Sequence, residues 1–463
     1  MKKNFLFLLF ASAAMLITTS CVHEEDDIFD ASAAERLNAA SEKYSQLLES
    51  SEGGWVVEYY PTNEDALTTG QGYLWMVKFG KDESCKVGMN NYFSNNAYRE
   101  YTSLWEVITD NGPVLTFNSY NPHVHAFSDP DVRSIPGSGD NVWGTGVGGD
   151  YEFVIVDAPE DHSYVMLKGK KRGTYNRMTP LPAGVDYAEY LADINNFMNR
   201  TLSWQAPNNN YLKFADKRYV LATGQENYIS MYPEDGDAIT ETTDHFFMVT
   251  KRNGDYYLRF RNAFDREGME GTLQEMRYDS LAQEFVGVEN DQFRIVGYEP
   301  GRFFGENIGE GNTWTMAKTA EMSPKFKEYI DELDTRFANT KDARKRSYTF
   351  VGINLGRDAR TIDGVRDTVN CCNIVYRTPG SSRNTSACYV MDMKNADESV
   401  TYQYLKPRDT SAANIQNTFD TITKLMTLFT REFVVSACDS KFNLTRVKLT
   451  AADDPDIWFI VTV

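Results

Sequence analysis

Gly53-Gly54-Trp55-Val56-Val57-Glu58-Tyr59-Tyr60-Pro61 is where the chain changes its period. Upstream, Ser32-Ala33-Ala34-Glu35 has capping-box spacing, and Leu37, Ala40, Tyr44, Leu47 and Leu48 fall on one helical face. The glycine pair ends that helix. From Trp55 the residues are β-branched and aromatic, the types that suit a pleated, half-buried surface, and Pro61 stops the run.

Working outward, short apolar runs recur between turn signals. Residues 73–79 and 85–89 flank Gly80-Lys81-Asp82, and residues 104–108 and 114–117 flank Asp110-Asn111-Gly112-Pro113. Residues 151–156 and 164–167 continue the series. Tyr187, Tyr190, Leu191, Ile194, Phe197 and Met198 then keep helical spacing. A second β-series spans about residues 202–314, with a hairpin predicted at Arg252-Asn253-Gly254-Asp255, because both central residues of a type I′ turn need positive φ. The two series share order and turn style, as a diverged duplication would. Ser323-Pro324 opens another helix, Ser as N-cap and Pro first, with Phe326, Tyr329, Ile330, Leu333 and Phe337 on its buried face. The rest mixes strands with one helix carrying Ile415, Phe419, Ile422, Met426 and Phe429, and ends in a strand over 458–463.

The expected fold is mainly β: two antiparallel barrel- or sandwich-like units linked by helices, with an α+β C-terminal part. The expected division is 1–20, signal peptide; 21–31, a lipid-anchored acidic tether; 32–182, an N-terminal helix plus β-domain; 183–320, a helix plus second β-domain; and 321–463, an α+β region.

The start of the chain speaks to location. Lys2 and Lys3 form a positive n-region, residues 5–17 are apolar or small, and Thr18-Thr19-Ser20 precede Cys21. The apolar run falls short of the ~20 residues a bilayer core needs, so it reads as a secretory signal. Cys21 is the expected lipidation site and the expected attachment to the membrane. The strict signal carries Leu where Thr18 stands; the looser form, with Leu16, resembles Bacteroidota lipoproteins. In that group an acidic run such as Glu24-Glu25-Asp26-Asp27 resembles a surface-export signal, which implies an outer-membrane lipoprotein facing the cell exterior.

Of the 463 residues, 41% are hydrophobic and 13% aromatic, a globular composition with 27 Tyr, 27 Phe and 7 Trp. The formal charge is −19, and removing Lys2 and Lys3 brings it to −21. Such a surface repels nucleic acid and anionic headgroups, so no nucleic-acid partner is expected. Cys371 and Cys372 are adjacent and, in a strand, face opposite ways. A bridge from one of them to Cys388 or Cys438, or buried free thiols including Cys85, are both open.

Few constellations carry chemistry. His123-Val124-His125 with Asp129 and Asp131 is the best metal candidate, since histidines two apart on a strand share a face; an irregular structural loop between Pro122 and Pro130 is the alternative. The glycine-rich stretch 144–149 precedes a strand, the wrong order for a phosphate loop. No HExxH, GxSxG or P-loop motif occurs, and no cofactor or catalytic residue is implied. Flat aromatic rings stack on sugar faces, so Trp105, Trp143, Trp204 and Trp314, near predicted turns, are candidate ligand contacts, with core packing as the alternative.

Gly53 to Pro61, Gly112-Pro113-Val114-Leu115-Thr116-Phe117, Asn121-Pro122, Phe127-Ser128-Asp129-Pro130, Gly148-Gly149-Asp150-Tyr151-Glu152-Phe153 and Leu167-Lys168-Gly169-Lys170-Lys171 resemble the Bacteroidota lipoprotein family "domain of unknown function 4302". The resemblance covers the first half well and the C-terminal third poorly. It implies an accessory lipoprotein beside a SusC/SusD-type uptake system, binding a glycan, peptide or other nutrient. A metal- or carboxylate-dependent hydrolase and a structural docking subunit of the transporter are the alternatives.

Overall fold

The computed structural model describes residues 32–62, 70–90, 94, 96–110, 112–129, 148–202, 210–214, 217–223, 227–233, 243–265, 270–362 and 365–463. Among them the chain repeats one plan three times: a helix, then an antiparallel sheet that curls on itself.

Helix α1 (Ala33–Ser50) starts at the expected capping box, where Ser32 and Glu35 satisfy each other's backbone amides. Nine strands follow: β1 (Trp55–Tyr59), β2 (Tyr73–Phe79), β3 (Ser84–Met89), β4 (Arg99–Leu104), β5 (Glu106–Asp110), β6 (Gly112–Thr116), β7 (Glu152–Asp157), β8 (Val165–Gly169) and β9 (Tyr175–Pro180). The one-turn helix α2 (Pro122–His125) lies between β6 and β7. The sheet order is β4-β3-β2-β1-β9-β8-β7-β6-β5. Its two edges are therefore consecutive strands, joined by Trp105 alone, and the ring is nearly closed. Trp55 Nε1 donates to the Leu48 carbonyl at 2.8 Å, tying strand to helix across the glycine pair. Tyr187 Oη donates to the Gly53 carbonyl at 2.8 Å, and Gly54 has φ +76°, which favours glycine.

β1 is buried at every position, and its alternation explains why. Trp55, Val57 and Tyr59 point into the first unit's core. Val56 belongs to the second unit's core, and Tyr60 packs with Phe246 and Met248. Glu58 pairs with Arg259. The strand is thus roofed on both sides, which is why it lacks an apolar–polar rhythm.

The second unit has α3 (Tyr187–Thr201) and a closed barrel of β10 (Tyr211–Phe214), β11 (Lys217–Thr223), β12 (Tyr228–Pro233), β13 (Thr243–Arg252), β14 (Asp255–Phe264), β15 (Leu273–Asp279), β16 (Glu284–Gly287) and β17 (Arg294–Val296). Closure comes from β17 pairing with β10, Tyr211 opposite Val296. The β13–β14 turn has positive φ at Asn253 (52°) and Gly254 (93°), as the dipeptide predicts. Phe197 of α3 stacks on Tyr256, centroids 3.8 Å apart. Beside the Glu58 pair, Glu275 takes Arg177 at 3.2 Å and Arg252 at 2.8 Å, so a buried ion network spans the seam between the first two units.

The part expected to be α+β does carry helices, and its strands close into a barrel of their own. This third unit begins earlier than residue 321, with α4 (Pro300–Gly309) and β18 (Trp314–Ala317), and continues through α5 (Pro324–Asn339), β19 (Thr349–Ile362), β20 (Val365–Arg377), β21 (Thr385–Asn395), β22 (Ser399–Pro407), α6 (Thr410–Thr418), α7 (Thr421–Phe429), β23 (Arg431–Ala437), β24 (Arg446–Ala451) and β25 (Trp458–Thr462). Ser323 caps α5 through the Phe326 amide. The single helix expected around Phe419 is two helices. Phe419 leaves helical geometry (φ −121°, ψ 82°) as its ring stacks on Phe337 at 3.9 Å. No described helix is long and apolar enough to cross a membrane.

Candidate functional site

Of the four candidate tryptophans, Trp105 and Trp314 are described, and both are buried in the cores. Trp105 is 3% exposed, packs on Phe79 with ring centroids 4.6 Å apart, and donates Nε1–H to the Gly80 carbonyl at 3.2 Å. Trp314 is fully buried, stacks on Phe304 and donates to its carbonyl at 3.3 Å. Proximity to a turn located both correctly, but side-chain direction took them into the cores. Trp143, Trp204, Asp131 and Cys21 lie outside the described residues.

The histidine pair is also rearranged. Residues 122–125 form a turn of helix and not a strand, so His123 and His125 do not share a face. Asn121 caps the turn, its Oδ1 accepting from the His123 amide at 3.0 Å. His123 is buried, its Nε2–H donating to the Arg99 carbonyl at 2.9 Å. Burial holds its pKa below the ordinary histidine value, against the hydrogen bond to Arg99. His125 is half-buried, its Nδ1 3.0 Å from the Asn121 amide, which donates, and 3.2 Å from the Asn121 carbonyl, which accepts. Asp129 accepts from the Tyr120 hydroxyl. Among the described residues no three His, Cys, Asp or Glu side chains are grouped to hold a metal.

The cysteines are free: Cys85, Cys371, Cys372 and Cys388 buried, Cys438 partly so. Cys372 faces the third barrel's core, and the Cys371 and Cys388 thiols on its outer side are hydrogen-bonded to each other.

A concavity lies where the first sheet, α3 and the second barrel meet. It encloses about 240 Å³. Its polar wall is a set of carboxamides: Gln71, Asn90, Asn96, Asn195 and Asn227. Its apolar wall is Leu74, Leu191, Ile194, Met198, Met248 and Val249. No lining residue carries a charge. Each carboxamide offers two donors and an acceptor, so the cleft presents hydrogen bonds of both senses without a field. Asn96 and Asn227 stand at positive φ (55° and 58°), a conformation asparagine tolerates better than most residues. A second recess near Lys78, Asp186 and Glu100 differs in kind, with its own ion pair from Lys86 to Glu100 at 3.1 Å.

Sequence reasoning missed these carboxamides because they come from separate segments and no spacing links them. Only the Asn at turn positions left a local trace.

Among curated proteins, none matches the chain. A solved structure, the beta subunit from DNA polymerase of Streptococcus pyogenes, aligns over 92% of this chain and 98% of its own at 7% identity, but with a TM-score of 0.13, too low for a shared fold. The family described as "Domain of unknown function (DUF4302)" matches residues 25–280, through the first sheet and into the second barrel. By that match, over more than half its length, the chain belongs to the DUF4302 family.

Proposed function

We propose that this protein is a surface-exposed accessory lipoprotein that captures a small uncharged nutrient for a SusC/SusD-like outer-membrane importer, and that the ligand sits in the carboxamide cleft. The observation that carries the reading is the lining: five carboxamides, six aliphatic or thioether side chains, Tyr73 and no charge. That combination suits a neutral glycan or a peptide backbone, whose hydroxyls or amides need donors and acceptors together. The ion network across the nearby seam supports it, because walls held in place before binding cost less to order. Cys21, with the acidic run after it, supports an anchored, outward-facing protein.

Calorimetry of the mature protein against neutral oligosaccharides and short uncharged peptides tests this. Binding that is lost in Asn195→Leu and insensitive to salt is expected. No binding, with co-purification of an outer-membrane transporter, would move the reading to a docking subunit.

A further inference from the structure

Three rings stand in a row on the first unit's surface, away from the residues that line the cleft. Tyr120 is 62% exposed and Tyr151 42% exposed. The His125 imidazole lies between them, its centroid 5.3 Å from the Tyr120 ring and 4.9 Å from that of Tyr151, the latter at an interplanar angle of 21°.

The row is built, not incidental. Asn121 fixes the His125 ring through Nδ1. Tyr151 is pinned from both sides. The Gly149 amide donates to the Phe127 carbonyl at 2.8 Å, and the Asp150 amide donates to the buried Tyr59 hydroxyl at 2.9 Å. The Phe117 amide donates to the Tyr151 carbonyl at 3.2 Å. A Cβ at Gly149 would lie 2.3 Å from that of Phe127, so this close approach requires glycine.

The chemistry of the row is specific. His125 Nδ1 lies 3.0 Å from the Asn121 amide and 3.2 Å from the Asn121 carbonyl, and its Nε2 makes no hydrogen bond among the described residues, which leaves that nitrogen for a hydroxyl, a group that donates or accepts as the tautomer requires. Asp129 stands beside Tyr120, and a carboxylate that accepts one hydroxyl keeps capacity for others. Apolar ring faces flanked by an imidazole nitrogen and a carboxylate match a sugar, whose axial C–H face is apolar and whose rim is hydroxyls.

We propose that Tyr120, His125, Tyr151 and Asp129 form a second ligand site, one that takes a neutral pyranose unit of a glycan. None of its residues lines the cleft, and it does not depend on it.

The test is 15N-histidine NMR of the mature protein titrated with maltohexaose, cellohexaose and mannohexaose. At least one hexaose is expected to shift the His125 ring signals. Tyr120→Ala and Tyr151→Ala should each weaken binding about tenfold. Tyr151→Phe should keep it. No His125 shift with any of the three hexaoses, affinity unchanged in both alanine variants, or a shift with choline and none with sugars would each overturn the proposal. Loss of binding in Asn195→Leu with a silent His125 would instead support the cleft alone.

Discussion

Glu58 and Arg259 form an ion pair at 3.3 Å across the seam between the first sheet and the second barrel, their side chains 2% and 11% exposed. Burial pushes the Glu58 carboxyl up, and the Arg259 guanidinium pulls it back. Removing one partner strands the other charge away from water. Glu58→Ala should therefore cost about 3–5 kcal/mol, whereas Glu58→Leu with Arg259→Met should recover much of that loss. Urea unfolding of the two singles and the double gives the coupling energy. A coupling near zero would mean the seam is wetter than it looks.

His123 makes stability depend on pH in a predictable direction. Its folded pKa is held below the unfolded value of about 6.5 by burial, so between the two values the unfolded chain binds more protons. Stability is fully present above pH 6.5 and falls as pH drops, by at most about 1.4 kcal/mol per pH unit for one proton, levelling off below the folded pKa. Melting curves from pH 7.5 to 5 should show a shallower fall in His123→Gln than in the parent. Parallel profiles would reassign the effect to other groups.

Gly254 and Gly53 are both glycine for different reasons. Gly254 has φ +93°, and a Cβ there would meet nothing within 4 Å, so Gly254→Ala should cost only the left-handed backbone, about 1–2 kcal/mol. A Cβ at Gly53 would lie 2.0 Å from the Pro182 carbonyl oxygen, so Gly53→Ala must push β9's exit away from α1. It should cost clearly more than Gly254→Ala in the same denaturation assay. Equal costs would show that the close approach yields easily.

The register forecasts the redox state of the third barrel. Cys371 sits opposite Val390 and Cys388 opposite Asn373, so the two thiols are diagonal neighbours. Diagonal positions lie roughly 7–8 Å apart, beyond the usual reach of a disulfide. Cys372 is opposite Tyr389 and faces the core. Thiol titration of the mature chain, denatured without reductant, should find all five of Cys85, Cys371, Cys372, Cys388 and Cys438. Three would mean that Cys371 and Cys388 had bridged.

Legibility followed the range of the signal. The capping box at Ser32, the Ser323-Pro324 start and the Asn253-Gly254 turn are decided within a few residues, and each formed as read. The third barrel was opaque because its closure pairs Thr315 with Thr462, a link no local window contains. Trp105 and Trp314 were placed near turns correctly, but which way an indole points depends on partners brought from elsewhere: Phe79 and Gly80 for one, Phe304 for the other. The cleft depends on three packed elements, so its carboxamides read as ordinary polar residues until those elements meet. Tyr120 and Tyr151 were passed over because tryptophan was the expected platform.

Closure of the second barrel also says where this protein can be divided. The family match stops at residue 280, just past β15, before β16 and β17 return the sheet to β10. A fragment trimmed to that limit would leave two bare strand edges and uncover Leu258 and Phe260, an invitation to edge-to-edge aggregation. Extending it to Val296 would restore the ring but not its filling, because Phe442, contributed by the third unit, is 5% exposed within that same core. The smallest soluble piece of this chain is therefore longer than its recognisable one.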